Sequence, residues 1–231
     1  MKKIIFPIIF LLFAQFGYAQ VNMGARIGMN LGMFDLKNSN ITESYNISPS
    51  LSVLIKMDID VPFSTVFSFR TGLGLVIKGS EVDHIPTIQH PDTIWSLLYR
   101  LNYLEVPLLL VARAETDFFG TFYFGVGPTL SLGVGGRMEM FSEHRTNHGQ
   151  TQSSYGLVWG NKPAPEAHHG YDYFRRFDFG VGALFSYQLP RSGLAFTVNY
   201  NKGLRNISPN PGIDLKTSYF GFSIGFIMGG A

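Results

Sequence analysis

Ser142, Glu143 and His144 follow one another in the chain and supply a hydroxyl, a carboxylate and an imidazole, the groups of a nucleophilic triad. A working triad needs the base held in space between nucleophile and orienting acid. Three consecutive residues of an extended chain do not converge in that way, so the trio predicts no catalysis. Six histidines, His84, His90, His144, His148, His168 and His169, stand in polar stretches, with Glu166 beside the last pair. Their spacings match no standard zinc pattern, so neither a metal nor another cofactor is expected. The glycine runs 72–74 and 133–136 lack the Lys-Ser/Thr that a phosphate-binding loop requires.

A different set of charges stands alone among small and apolar neighbours: Arg26, Lys56, Arg70, Glu105 and Asp178, with Asn30 and Asn199 as polar companions. These residues have meaning only through the elements that carry them. From Val21 onward the dominant period is two, the signature of strands, and no long stretch keeps a helical period. Phe220, Phe222, Ile224, Phe226 and Met228 fall on one face of the last run; Thr217, Tyr219, Gly221, Ser223 and Gly225 fall on the other. The run from Phe177 to Leu189 repeats the scheme, and so does the run from Phe122 to Val134.

About eight such runs occur, separated by turn signals: 21–34, 47–58, 65–79, 96–113, 121–136, 174–189, 194–206 and 215–228. The connections between them alternate between short and long, as they do in outer-membrane barrels. The longest connection, 137–173, is polar and weakly periodic, which fits either a plain surface loop or one that contacts a partner or ligand.

Alternation alone does not decide which face meets the apolar phase. The composition of the small face does, because it holds mainly Gly, Ser and Thr. Charged residues make up 15% of the chain, equal to the aromatic share, whereas a soluble surface wants roughly 25–35% charge. Small residues suit the crowded interior of a barrel of about eight strands, leaving the large apolar residues to face lipid. Only a closed barrel satisfies the backbone of such strands in a bilayer.

If Ala25, Ile27 and Met29 face lipid, then Arg26 points inward, and the same parity sends Lys56, Arg70, Glu105 and Asp178 inward. Buried charges are costly unless paired. The expected network joins Glu105 and Asp178 to Arg26, Arg70 or Lys56, with Asn30 and Asn199 adding hydrogen bonds. Trp95, Tyr99, Phe119 and Tyr200 are expected at the headgroup level, and Pro107 or Pro128, each lacking a ladder donor, should mark a bulge.

The first 19 residues read as a cleaved signal peptide: Lys2 and Lys3, an apolar stretch from Ile4 to Phe16, and small-residue context ending at Ala19. Residues 20–231 then form one barrel domain. Losing Lys2 and Lys3 leaves 16 of the 18 basic residues, equal to the 16 acidic ones, so no nucleic-acid partner is expected. The chain has no cysteine, which excludes disulfide staples.

The stretches "GARIGMNLG", "YLEVPLLL", "FGVGPTLSLGVGG", "FDFGVGALFSYQL", "NYNKGLRNI" and "FGFSIGFIMG" occur in that order. Their order and spacing resemble the PorT-like outer-membrane β-barrel family of Bacteroidota. The resemblance implies a barrel delivered by the barrel assembly machinery, and the family's namesake takes part in type IX secretion. No catalytic residues carry over.

The expectation is therefore an all-β, single antiparallel transmembrane barrel in the outer membrane of a Gram-negative bacterium, both termini periplasmic. Its expected role is non-enzymatic: a structural or accessory protein whose external loops contact a partner, with outer-membrane lipid around it and other outer-membrane or secretion proteins as candidates. The alternatives are a small-solute or ion pore and an external-loop enzyme acting on lipid.

Overall fold

The computed structural model describes residues 21–38, 46–83, 93–116, 118–144, 150–161 and 173–228. Their strands are β1 (Asn22–Asn38), β2 (Asn46–Pro62), β3 (Phe67–Asp83), β4 (Thr93–Pro107), β5 (Leu109–Thr116) and β6 (Gly120–His144). There follow β7 (Gln150–Gly156), β8 (Val158–Trp159), β9 (Tyr173–Phe174), β10 (Phe177–Gln188), β11 (Leu194–Gly203) and β12 (Ile213–Met228). β4 and β5 act as one strand interrupted at Leu108, since both pair with β3 and with β6.

Each strand pairs antiparallel with the next around the ring, and β1 closes it against β12. With β4 and β5 counted together and β7 as an outlying strand on β6, the barrel has eight strands. Closure leaves no edge, the condition for strands in a bilayer. The interruption at Leu108 lies next to Pro107, and Leu108 N–H donates to the Pro128 carbonyl at 2.9 Å.

The alternation expected from sequence is present. Along β10, Phe177, Phe179, Val181, Ala183 and Phe185 are exposed, and Asp178, Gly180, Gly182, Leu184 and Ser186 are buried. Small inner residues leave room for long ones: a Cβ on Gly74 would sit 2.7 Å from Cγ of Lys56. The turn after β10 places Arg191 at φ 63° and Gly193 at φ 69°. Leu189 N–H closes it on the Leu194 carbonyl at 2.8 Å.

The strands run further than expected at the end away from the termini. β6 continues to His144, and β7 pairs back onto its last turn of ladder, Arg137 opposite Gly156 and Glu143 opposite Gln150. Residues 137–144 and 150–156 of the expected 137–173 loop thus pair as strands, mixing polar pairs such as Ser142 with Thr151 and mixed ones such as Met140 with Ser153. Of the expected headgroup-level aromatics, Phe119 and Tyr200 are exposed, whereas Tyr99 is 5% exposed and turned into the lumen. Parity explains the correction: Tyr99 is an even number of residues from inward-facing Glu105.

We call the end that carries Asn22, Met228 and the short turns the terminal end, and the opposite one the loop end.

Candidate functional site

The lumen is filled in layers. Glu105 of β4, fully buried, sits at mid-height and collects partners from around the ring. Its Oε1 accepts from Lys56 Nζ and from Tyr219 Oη, each at 2.6 Å. Lys78 Nζ lies 3.5 Å from its Oε2 and 3.2 Å from Oδ2 of Asp178. Thr217 Oγ1 donates to the same Asp178 oxygen at 2.9 Å. Lys78 Nζ also stands over the Tyr103 ring, 4.8 Å from its centre, a cation–π contact that strengthens where water is excluded.

Toward the terminal end lie two further pairs. Arg26 donates to Asp58 through Nε at 2.7 Å and Nη2 at 3.3 Å, the two-pronged geometry that suits guanidinium and carboxylate. Arg70 Nη2 donates to Asp60 at 2.9 Å, and its guanidinium covers the Tyr123 ring at 5.0 Å. The four cations Arg26, Lys56, Arg70 and Lys78 thus meet the four carboxylates Asp58, Asp60, Glu105 and Asp178.

Arg26, Lys56, Arg70, Glu105, Asp178 and Asn199 are all buried, but the partners differ from those expected for some of them. Lys56 meets Glu105, while Arg26 and Arg70 take Asp58 and Asp60, and Asp178 takes Lys78. Asn199 lines a cavity of about 20 Å³ with Arg26, Lys56, Glu105 and Tyr219, room for about one water. Asn30 reaches the Ile77 carbonyl instead of the charges, at 2.7 Å. Lys78, Asp58 and Asp60 were missed. Their signal was present, since each shares its parity with Lys56 or Arg70 on the same strand.

Above the charges, toward the loop end, the lumen turns apolar. The segment after β7 folds into the mouth: β8 and β9 pair in parallel, Trp159 opposite Phe174. Trp159 stands edge-on to Tyr103 with ring centres 5.4 Å apart, and Phe174 edge-on to Tyr99 at 5.8 Å. Leu101, Met138, Ile207 and Leu215 pack in the same cluster. Gly133 is the floor under the indole, because a Cβ there would lie 2.4 Å from its ring atoms.

Ser142, Glu143 and His144 are consecutive extended residues at the end of β6. Among the described residues no group of three or more His, Asp or Glu side chains is arranged to hold a metal. His84, His90, His148, His168, His169 and Glu166 lie outside the described residues.

Solved structures with similar folds include the outer membrane protein OprG from Pseudomonas aeruginosa, at 10% identity and TM-score 0.48, covering 91% of this chain and 97% of that one. Ail, the attachment invasion locus protein of Yersinia pestis, gives 9% identity and TM-score 0.41, covering 90% and 99%. The outer membrane protease OmpT from Escherichia coli gives 9% and 0.39, covering 91% and 97%. No curated protein matches in sequence. A family model described as outer membrane protein beta-barrel domain matches residues 13–208, and with its closed ring, lipid-facing apolar surface and charge-paired lumen the chain belongs to that family of outer-membrane barrels.

Proposed function

We propose that this barrel is a non-enzymatic and non-conducting structural or accessory protein that acts through its loop end, presenting it to a partner outside the cell. The observation that carries this reading is the double closure of the lumen. A neutral lattice of ion pairs crosses the barrel at mid-height, and an aromatic cluster built on Trp159, Tyr103 and Phe174 fills the mouth above it. Ions crossing such a lumen would have to break buried pairs, each costly to leave half-made.

Orientation follows the usual asymmetry of such barrels, short turns inside and longer connections outside. The turns at 63–66, 118–119 and 189–193 share the end that carries Asn22 and Met228, which we place in the periplasm. The sequence resemblance to PorT-like barrels of Bacteroidota makes type IX secretion components the first partners to seek.

Planar-bilayer recording of the purified barrel tests the reading. Conductance at the level of protein-free bilayers is expected, and reproducible openings would replace the accessory role with a pore. Mild-detergent extraction from the native membrane after cross-linking, followed by mass spectrometry, tests the partner. Recovery of the barrel alone would remove stable complex membership.

A further inference from the structure

On the outward face the ladder between β2 and β3 is broken. From Pro49 to Leu54 the register of β2 advances five residues while β3, from Ser80 to Val76, advances four. The backbone of β3 is drawn inward here: Ile77 gives its carbonyl to Asn30 of β1, and a Cβ on inward-facing Gly32 would lie 2.6 Å from the Gly79 oxygen. Leu51 and Val53 stay outside, 60% and 48% exposed. Between them and the next strands opens a groove of about 520 Å³ lined by Leu51, Val53, Ile77, Asn102, Arg100 and Arg137, among others.

Its loop-end wall is cationic. Arg100 of β4 and Arg137 of β6 are directly opposed across the ladder, an arrangement that like charges disfavour. One carboxylate lies within reach of both: Glu139 Oε1 is 2.8 Å from Arg137 Nε and 3.4 Å from Arg100 Nη1. One negative charge against two positive ones leaves the patch with a net charge of +1, and the Arg100 and Arg137 side chains stay 33% and 55% exposed.

The depth of the groove identifies what fills it. The outward pair one position below, Asn102 opposite Gly135, separates the arginines from the apolar pair Leu104 and Leu132. On the far side of the ring Asp35 opposite Lys216 marks a similar transition above the apolar residues of β1 and β12. The arginines therefore stand at the loop-end margin of the lipid-facing band, with the apolar part of the groove beside and below them. At this level the groove meets both the headgroup layer and the first chain carbons, so it takes a polar headgroup as well as a chain.

We infer that the groove binds one phosphorylated membrane lipid, its phosphate held by the forks of Arg100 and Arg137 and an acyl chain lying along Leu51, Val53 and Ile77. Guanidinium forks match phosphate oxygens in pairs, and the aliphatic wall accounts for a chain. The leaflet rests on the orientation proposed above, with the loop end outward; the binding chemistry does not.

The test is native mass spectrometry of the full mature barrel in detergent micelles doped with diphosphoryl lipid A, with its dephosphorylated form and inorganic phosphate as parallel probes. One lipid retained per barrel is expected for the phosphorylated probe and little for the dephosphorylated one. The double variant R100Q/R137Q should cut retention by about tenfold or more, given the strength of charge-assisted hydrogen bonds, while E139Q should raise it. Leu51→Asn should lower lipid retention with both arginines intact. Variants are compared only where they keep the wild-type heat-modifiable mobility of a folded barrel. Equal retention of the two lipids, equal retention by the double variant, or full displacement by inorganic phosphate would each overturn the inference. Because the assay is in symmetric micelles, a negative result leaves the orientation and the closed lumen untouched, while a cysteine-labelling assay on whole cells tests the orientation alone.

Discussion

Lys56 Nζ lies 2.6 Å from Glu105 Oε1 inside the barrel, and neither side chain is more than 4% exposed. The pair links β2 to β4 across β3, so it ties strands that share no ladder. Removing one member of such a pair leaves the other charge buried without a counterion. Glu105→Gln should therefore lower stability by about 3–5 kcal/mol, the range for breaking a buried pair. The double change Lys56→Met with Glu105→Leu should recover much of that loss. Urea unfolding in lipid vesicles, followed by tryptophan fluorescence, measures both. Equal stability of wild type and Glu105→Gln would show that the network adds nothing to the fold.

The lipid-facing side has its own test in Phe222, which is 50% exposed and pairs with Met29 among other outward apolar residues. Phe222→Arg should cost about 2–4 kcal/mol if that position lies near the bilayer midplane, against about 0–1 kcal/mol near the interface. Ser218→Arg, two outward positions nearer the loop end and opposite Met33, should fall in the lower range. Equal costs at the two positions would contradict the placement of the apolar band.

The aromatic closure of the mouth depends on Gly133 lacking a side chain. Gly133→Leu should push the Trp159 indole out of its seat on Tyr103, since even a Cβ would lie 2.4 Å from the ring. Overpacking of this kind costs about 1–3 kcal/mol. In a Trp95→Phe background, where Trp159 is the remaining tryptophan, acrylamide quenching of its fluorescence should rise. Unchanged quenching would mean that the indole does not rest on Gly133.

Much of this architecture was legible because a strand's period is an integer. Counting by twos along each strand puts Arg26, Lys56, Arg70, Glu105 and Asp178 on the face opposite the outward apolar residues of that strand, and each of these is buried in the structure. The same count also reaches Asp58 and Lys78 within their expected strands, and it misses where a strand stops, since Asp60 is beyond the expected limit of β2. It also carries no information on partners, which depend on the stagger of neighbouring strands. Asp178 meets Lys78 because β10 and β3 face each other across the lumen, a relation that no local pattern encodes. Where the count itself changes, parity misleads. Gly133 pairs with Tyr103 and Gly135 with Asn102, so Val134 is an extra residue on β6. Counting by twos from outward-facing Val134 would send Arg137 inward; the bulge turns it outward, opposite Arg100.

That bulge yields a last prediction from two single-residue deletions. Without Val134, Gly133 still faces inward opposite Tyr103, and Gly135 takes up the outward position opposite Asn102, so the ladder becomes regular and every later residue keeps its face. Deleting Val134 should therefore leave a folded, heat-modifiable barrel with Trp159 still shielded from acrylamide. Without Leu132, Gly133 moves to the outward position and Val134 takes the inward one, under the indole. A branched side chain then stands where no Cβ fits, and the mouth cluster must open. Deleting Leu132 should expose Trp159 and weaken the barrel, although both deletions shorten the same strand by one residue. If the two variants behaved alike, the bulge would not lie at Val134, and the outward placement of Arg137 would lose its structural basis.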